Sequence, residues 1–103
     1  MGYVFSFLSG LLLANGIPHF VNGISGKDFH DPSLRKLVPN VPSPLFNVIW
    51  GLINFAIAIA LRFLVRELVF GPNLLSASFA LGFTYAAIGL SVYFRRRYHA
   101  AAT

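Results

Sequence analysis

The chain has 103 residues, of which 56% are hydrophobic and 11% charged, with a net charge of +5 and no cysteine. Soluble proteins carry roughly a quarter charged residues, and a chain this short has too little interior to hide eleven Phe, four Tyr and one Trp from water. The composition therefore points to a single membrane domain over residues 1–103, and the missing cysteine excludes disulfides, thiolate metal sites and thiol nucleophiles.

The first apolar run predicts a helix over residues 3–22. A bilayer core of about 30 Å takes about 20 helical residues, so this run is long enough to cross. No Lys or Arg precedes it, which favours a retained span over a cleaved signal peptide, although Ala14-Asn15-Gly16 imitates a small-x-small cleavage site. Residues 23–43 form a loop. Its Lys27-Asp28-Phe29-His30-Asp31 segment lacks the spacing of a metal site and reads as solvated chain, so neither a metal nor a cofactor is expected. Pro39, Pro42 and Pro44 punctuate the loop before a second helix over residues 45–70. Within that helix Arg62, Arg66 and Glu67 mark the exit into the headgroups, and both arginines are expected to face lipid and reach its phosphates, with an anion site as the lesser reading. Gly71-Pro72 predicts a turn and the start of a third helix over residues 72–94. Arg95, Arg96 and Arg97 then act as a stop-transfer and orientation signal beside anionic lipid. The predicted fold class is all-α integral membrane with three transmembrane helices.

Charge sets the expected orientation. Lys27, Arg35 and Lys36 in the first loop and Arg95, Arg96 and Arg97 in the tail stand against only Arg62 and Arg66 on the other side. The excess of Lys and Arg on cytoplasmic segments puts the loop and the C-terminus in the cytoplasm and the N-terminus outside. The same placement at the ends of apolar runs argues against nucleic acid as a partner.

Polar residues recur within the spans at helical spacing. Asn15, His19 and Asn22 share one face of the first helix, Asn47 and Asn54 one face of the second with Trp50 between them, and Thr84 and Ser91 one face of the third. At a rise of about 1.5 Å per residue, Asn22, Asn47 and Ser91 fall at one depth and Asn15, Asn54 and Thr84 roughly 10 Å deeper, with His19 between. This spacing predicts two polar layers. Their plainest use is interhelical hydrogen bonding; the sharper one is a small cytoplasm-facing pocket or pathway in which His19 binds a ligand or carries a proton. Pro18 cannot donate to the carbonyl of Ala14, which predicts a kink or break beside this cluster. Ser6, Gly10 and Ala14 on the first helix, and Ser78, Gly82 and Ala86 on the third, form small-residue seams for close helix packing within the chain or between copies, with self-association favoured because three thin helices leave little interior. Tyr85, Tyr93, Tyr98 and Trp50 read mainly as packing residues or interfacial anchors.

Two stretches, Asn15-Gly16-Ile17-Pro18-His19-Phe20-Val21-Asn22-Gly23-Ile24-Ser25-Gly26 and Ser43-Pro44-Leu45-Phe46-Asn47-Val48-Ile49-Trp50-Gly51-Leu52-Ile53-Asn54-Phe55, resemble an uncharacterised family of small bacterial membrane proteins. The resemblance covers about a quarter of the chain. It implies a three-helix protein of the bacterial inner membrane and brings no activity with it.

No phosphate-binding loop, nucleophile elbow or intramembrane carboxylate pair is present in the sequence. An enzyme is therefore not expected; one acting on lipid or quinone with His19 as base ranks last, because nothing acidic or nucleophilic accompanies the histidine. The leading expectation is a homo-oligomer with a polar intramembrane pocket or pathway for a small polar solute or ion. The alternative is a non-catalytic accessory subunit of a larger membrane complex.

Overall fold

The computed structural model describes residues 2–29, 33–65 and 73–102. Helix α1 runs Gly2–Ile24, α2 Ser43–Leu64 and α3 Leu74–Ala102, with a short 3-10 turn at Ser33–Leu37. Three helices are long and apolar enough to cross a membrane, with α3 meeting that test over Leu74–Arg97. The chain is thus all-helical among the described residues, with the composition of a multi-pass membrane protein.

Local chemistry explains most boundaries. Pro42 caps α2 and Pro44 sits in its first turn, where the missing N–H costs nothing. The third helix starts two residues later than expected because Asn73 is its cap: Asn73 Oδ1 accepts the Ser76 N–H at 2.8 Å. At its far end α3 does not stop at residue 94 but continues through the arginines to Ala102. Arginine is a good helix former, so the charges that end the apolar run need not end the helix. Helix α1 runs through Pro18 without the break that the proline allowed for. The expected stretch of the second helix over residues 66–70, the Gly71-Pro72 turn, and Arg66 lie outside the described residues.

Two contacts fix the described parts of the loop. Arg35 Nη2 donates to the Val41 carbonyl at 2.8 Å, tying the 3-10 turn to the entry of α2. Gly26 turns the chain with φ of 73°, and Phe29 folds back so that its ring meets His19 of α1 at 5.1 Å and Phe94 of α3 at 5.0 Å.

Helix α1 is the middle of the molecule and packs against both α2 and α3, which touch each other only marginally. Its buried residues are Ser6, Ser9, Gly10, Ala14, Gly16, His19 and Gly23. None is a large apolar side chain; those, such as Tyr3, Val4, Leu8, Ile17 and Val21, face outward, as lipid permits. Close backbone approach makes this possible. A Cβ at Gly82 would land on the Phe7 carbonyl oxygen, and one at Gly10 on the Phe79 carbonyl oxygen, so the α1–α3 crossing excludes side chains at both positions.

Candidate functional site

The α1–α2 seam carries the chemistry. Polar contacts between described residues cross it between antiparallel helices: Arg62 Nη1 donates to Ser6 Oγ at 3.3 Å, Ser9 Oγ to the Ala58 carbonyl at 2.7 Å, Asn15 Nδ2 to Asn54 Oδ1 at 3.1 Å, and His19 Nδ1 meets Asn47 Oδ1 at 2.5 Å. They form a ladder from near the start of α1 towards its end, spaced over about 20 Å at the helical rise. Between the rungs, Gly16 and Gly51 let the backbones close: a Cβ at Gly51 would lie 2.9 Å from the Gly16 carbonyl oxygen.

The α2 asparagines and the imidazole are closed to solvent and lipid, whereas Asn15 is half-buried. Asn47 is fully buried, and His19 and Asn54 are 5% and 4% exposed. Each asparagine also spends its amide N–H locally: Asn47 donates to the Ser43 carbonyl at 2.9 Å and to Ser43 Oγ at 3.3 Å, and Asn54 to the Trp50 carbonyl at 2.8 Å. These bonds fix the amide oxygens towards α1, so that Asn54 accepts from Asn15 and Asn47 faces the imidazole. When the His19 Nδ1–H is present, it donates to Asn47. Phe29 covers the other side of the ring. Trp50 itself stacks on Phe46 at 6.2 Å and packs rather than joining a polar layer.

The expected layers are therefore rearranged. The structure brings together Asn15 with Asn54 and His19 with Asn47, but Asn22 turns back to its own helix and donates to the Pro18 carbonyl at 2.8 Å. Thr84 and Ser91 do not face the cluster; both are exposed on α3. Position 84 is two residues from both Gly82 and Ala86, hence roughly half a turn away from the seam that meets α1. Ser91 helps to line an apolar recess of about 360 Å³ with Ala14, Pro18, Phe83 and Phe94. Ser78, Gly82 and Ala86 lie on the α1-facing side, where Ser78 Oγ donates to the Tyr3 carbonyl at 2.6 Å. Arg95, Arg96 and Arg97 are exposed.

Arg62 departs most from expectation. It does not face lipid but is 6% exposed, with its guanidinium 5.3 Å from the centre of the Phe79 ring and bonded to Ser6. All three helices converge on it. Its spacing explains this: Asn47, Gly51, Asn54, Ala58 and Arg62 follow one another at three or four residues, and all are buried on α2. Ser9 was also missed. It lies seven residues before Gly16 and fourteen before Gly23, the same face of α1, and that repeat was the available signal.

A second groove of about 440 Å³ opens between α1 and α3, walled by Leu11, Asn15, Tyr85, Ala86, Gly89 and Leu90. Among the described residues no cluster of His, Cys, Asp or Glu suits a metal ion. No protein-family model matches the chain, nor does any curated protein or solved structure.

Proposed function

We propose that this is a non-catalytic protein of the bacterial inner membrane that acts by association within the bilayer, with further copies of itself or as an accessory subunit of a larger complex. The observation that carries the reading is the mutual engagement of Ser6, Ser9, Asn15, His19, Asn47, Asn54 and Arg62 across the helix contact. Their chemistry is spent on holding α1 to α2, which is what polar groups do most often between membrane helices. The result is a rigid unit with α3 on one flank. Only 11% of the α3 span is buried, and its exposed side carries Ala77, Ala80, Thr84, Ala87 and Ser91 at alternating three- and four-residue steps, a surface that admits close approach of another helix. The N-terminus lies outside and the C-terminus in the cytoplasm, supported by the concentration of Lys and Arg in the first loop and tail.

A pathway for a small polar solute or ion is the second reading, favoured by the spacing of polar rungs along most of the seam. One experiment separates the two. His19→Ala and Asn54→Leu are reconstituted separately into proteoliposomes, and ion or solute flux is measured beside thermal stability. Association predicts lowered stability and no flux in the parent protein to lose. A flux in the parent that either substitution abolishes overturns it.

A further inference from the structure

The turn between α1 and α2 shows large apolar side chains to its surroundings. Leu37 is 77% exposed, and Leu34 and Val38 are exposed as well. In a 3-10 helix residues three apart eclipse one another, so Leu34 and Leu37 of Ser33–Leu37 stack on one edge, with Val38 next in line. Arg35 takes another edge, where it is held by the Val41 carbonyl, and Lys36 is exposed beside it. In water such an edge would carry a cost proportional to its apolar area. Its position in the fold offers another solvent. The loop leaves α1 at Ile24 and folds back at once: the Phe29 ring meets His19, about 7.5 Å inside that helix end, and Phe94 of α3. Further along, the bond from Arg35 to the Val41 carbonyl ties the turn to the entry of α2, which Pro42 caps. Both contacts hold the loop at the level where the spans leave the hydrocarbon.

We infer that this edge is a membrane anchor: Leu34, Leu37 and Val38 insert among the headgroups of the adjacent leaflet, and Lys36 meets phosphates of anionic phospholipid. Charge selects this occupant. The contact between Phe29 and Phe94 puts Arg95, Arg96 and Arg97 at the same end of the bundle as Lys27, Arg35 and Lys36. By sequence these six cations stand there against Asp28 and Asp31, a surplus that draws an anionic leaflet. An apolar edge flanked by Lys and Arg is the pattern of interfacial elements, whose apolar side lies about 5–10 Å into the boundary between headgroups and acyl chains. The loop is then a strap laid on the membrane, with its leucines dissolved in lipid and its cations at the phosphates. The inference rests on the three helices spanning a bilayer and is independent of what they associate with.

Spin labelling of the full chain in lipid vesicles tests it, and the absence of native cysteine makes each label unique. Nitroxides are placed singly at Leu34→Cys, Leu37→Cys, Asn40→Cys and, as an intramembrane control on the exposed side of α2, Ile57→Cys. Collision with oxygen, which dissolves in lipid, is compared with collision with a water-soluble nickel chelate. Positions 34 and 37 should favour oxygen at a depth of about 5–10 Å, and Asn40, past the apolar edge, should favour nickel. Leu34→Ser combined with Leu37→Ser should move a label at Val38→Cys from oxygen to nickel while leaving the Tm in detergent unchanged. Lys36→Glu should shift the label at 37 towards water about thirtyfold in phosphatidylglycerol, the effect of two units of charge at an anionic surface, and leave it in place in phosphatidylcholine. Nickel preference at Leu37 while Ile57 favours oxygen would overturn the anchor and leave the spans intact; nickel preference at both would refute the spans themselves. Oxygen preference at Asn40 would show that the label alone seeks lipid and would also overturn the proposal, as would an unmoved label at Val38 or an equal response to Lys36→Glu in the two lipids. Protection of Leu37 from both reagents, with spin–spin broadening that unlabelled protein dilutes away, would show a second copy covering the edge and overturn it too.

Discussion

The α1–α3 crossing depends on two backbones with nothing between them, and Gly82→Val tests how much. The added Cβ lands on the Phe7 carbonyl oxygen and 2.8 Å from the Phe7 carbonyl carbon, so the obstacle is main chain and no rotamer change relieves it. Optimal carbon contacts lie near 3.5–4.0 Å, so the helices must separate by roughly 1 Å or more. Overpacking of this kind costs about 1–3 kcal/mol, and a rigid backbone obstacle belongs at the upper end. A cost of about 3 kcal/mol weakens the α1–α3 contact roughly a hundredfold. The α1–α2 ladder does not touch Gly82 and should survive. Because the chain has no native cysteine, engineered pairs report each contact cleanly. Tyr3→Cys with Ser78→Cys reads α1–α3, where Ser78 now bonds the Tyr3 carbonyl. Ser9→Cys with Ala58→Cys reads α1–α2. Gly82→Val should abolish the first crosslink and spare the second. Wild-type yield of the first would show that the helices are not in close contact, and a parallel fall in both would show that the two seams are not independent.

Three further outcomes follow from the same geometry. Asn47→Leu leaves the His19 imidazole without its amide across the seam and should destabilise the protein in detergent by about 1–3 kcal/mol, read as a lowered Tm; pairing it with His19→Leu should recover part of that loss, and no recovery would mean the two side chains are not coupled. Phenylglyoxal should modify Arg95, Arg96 and Arg97 well before Arg62, measured by peptide mass spectrometry, since Arg62 is enclosed by three helices; early reaction at Arg62 would return it to the lipid face. Green fluorescent protein fused after Thr103 should fluoresce and alkaline phosphatase at the same place should stay inactive, and the reverse pattern would invert the proposed orientation.

The spans were legible because length and hydropathy alone decide whether a helix can cross a bilayer. So were the positions of the small residues, whose four-residue repeats mark a face whatever packs against it. Which faces meet was harder. Thr84 and Ser91 match the depth of the asparagines, but depth is one coordinate: rotation about α3 places Thr84 roughly half a turn from its contact with α1, and Ser91 borders an apolar recess rather than the amides. Asn22 shares a face with Asn15 and His19 yet satisfies itself on the Pro18 carbonyl, a local bond that spacing does not distinguish from an interhelical one. Arg62 misled for a different reason. Charge near a helix end ordinarily signals lipid headgroups, and that expectation outweighed its place on the stripe through Asn47, Gly51, Asn54 and Ala58. The stripe was the better guide, because a guanidinium has somewhere to go when a serine and an aromatic face are opposite.

That stripe also shows why the middle helix carries no large buried side chain. In water, burying Leu or Phe between helices is the driving force; in lipid such a side chain is solvated equally well on either side, so it gives no net gain. What remains to hold α1 in place is dispersion between closely apposed backbones and hydrogen bonds that lipid cannot replace. Glycines 10, 16, 23, 51 and 82 supply the first, and the ladder from Ser6 to His19 supplies the second. The two contributions are divided unevenly among the described residues: α2 is held by both, α3 by close approach together with the Ser78 bond to the Tyr3 carbonyl and the Arg62 guanidinium over the Phe79 ring. Helix α3 is therefore the more readily detached of the two, and its exposed small residues are of the same kind that hold it to α1. A helix attached that way can exchange one neighbour for another without unmaking the α1–α2 polar network, which is the physical basis for the proposal that association runs through α3 while α2 keeps the fold together.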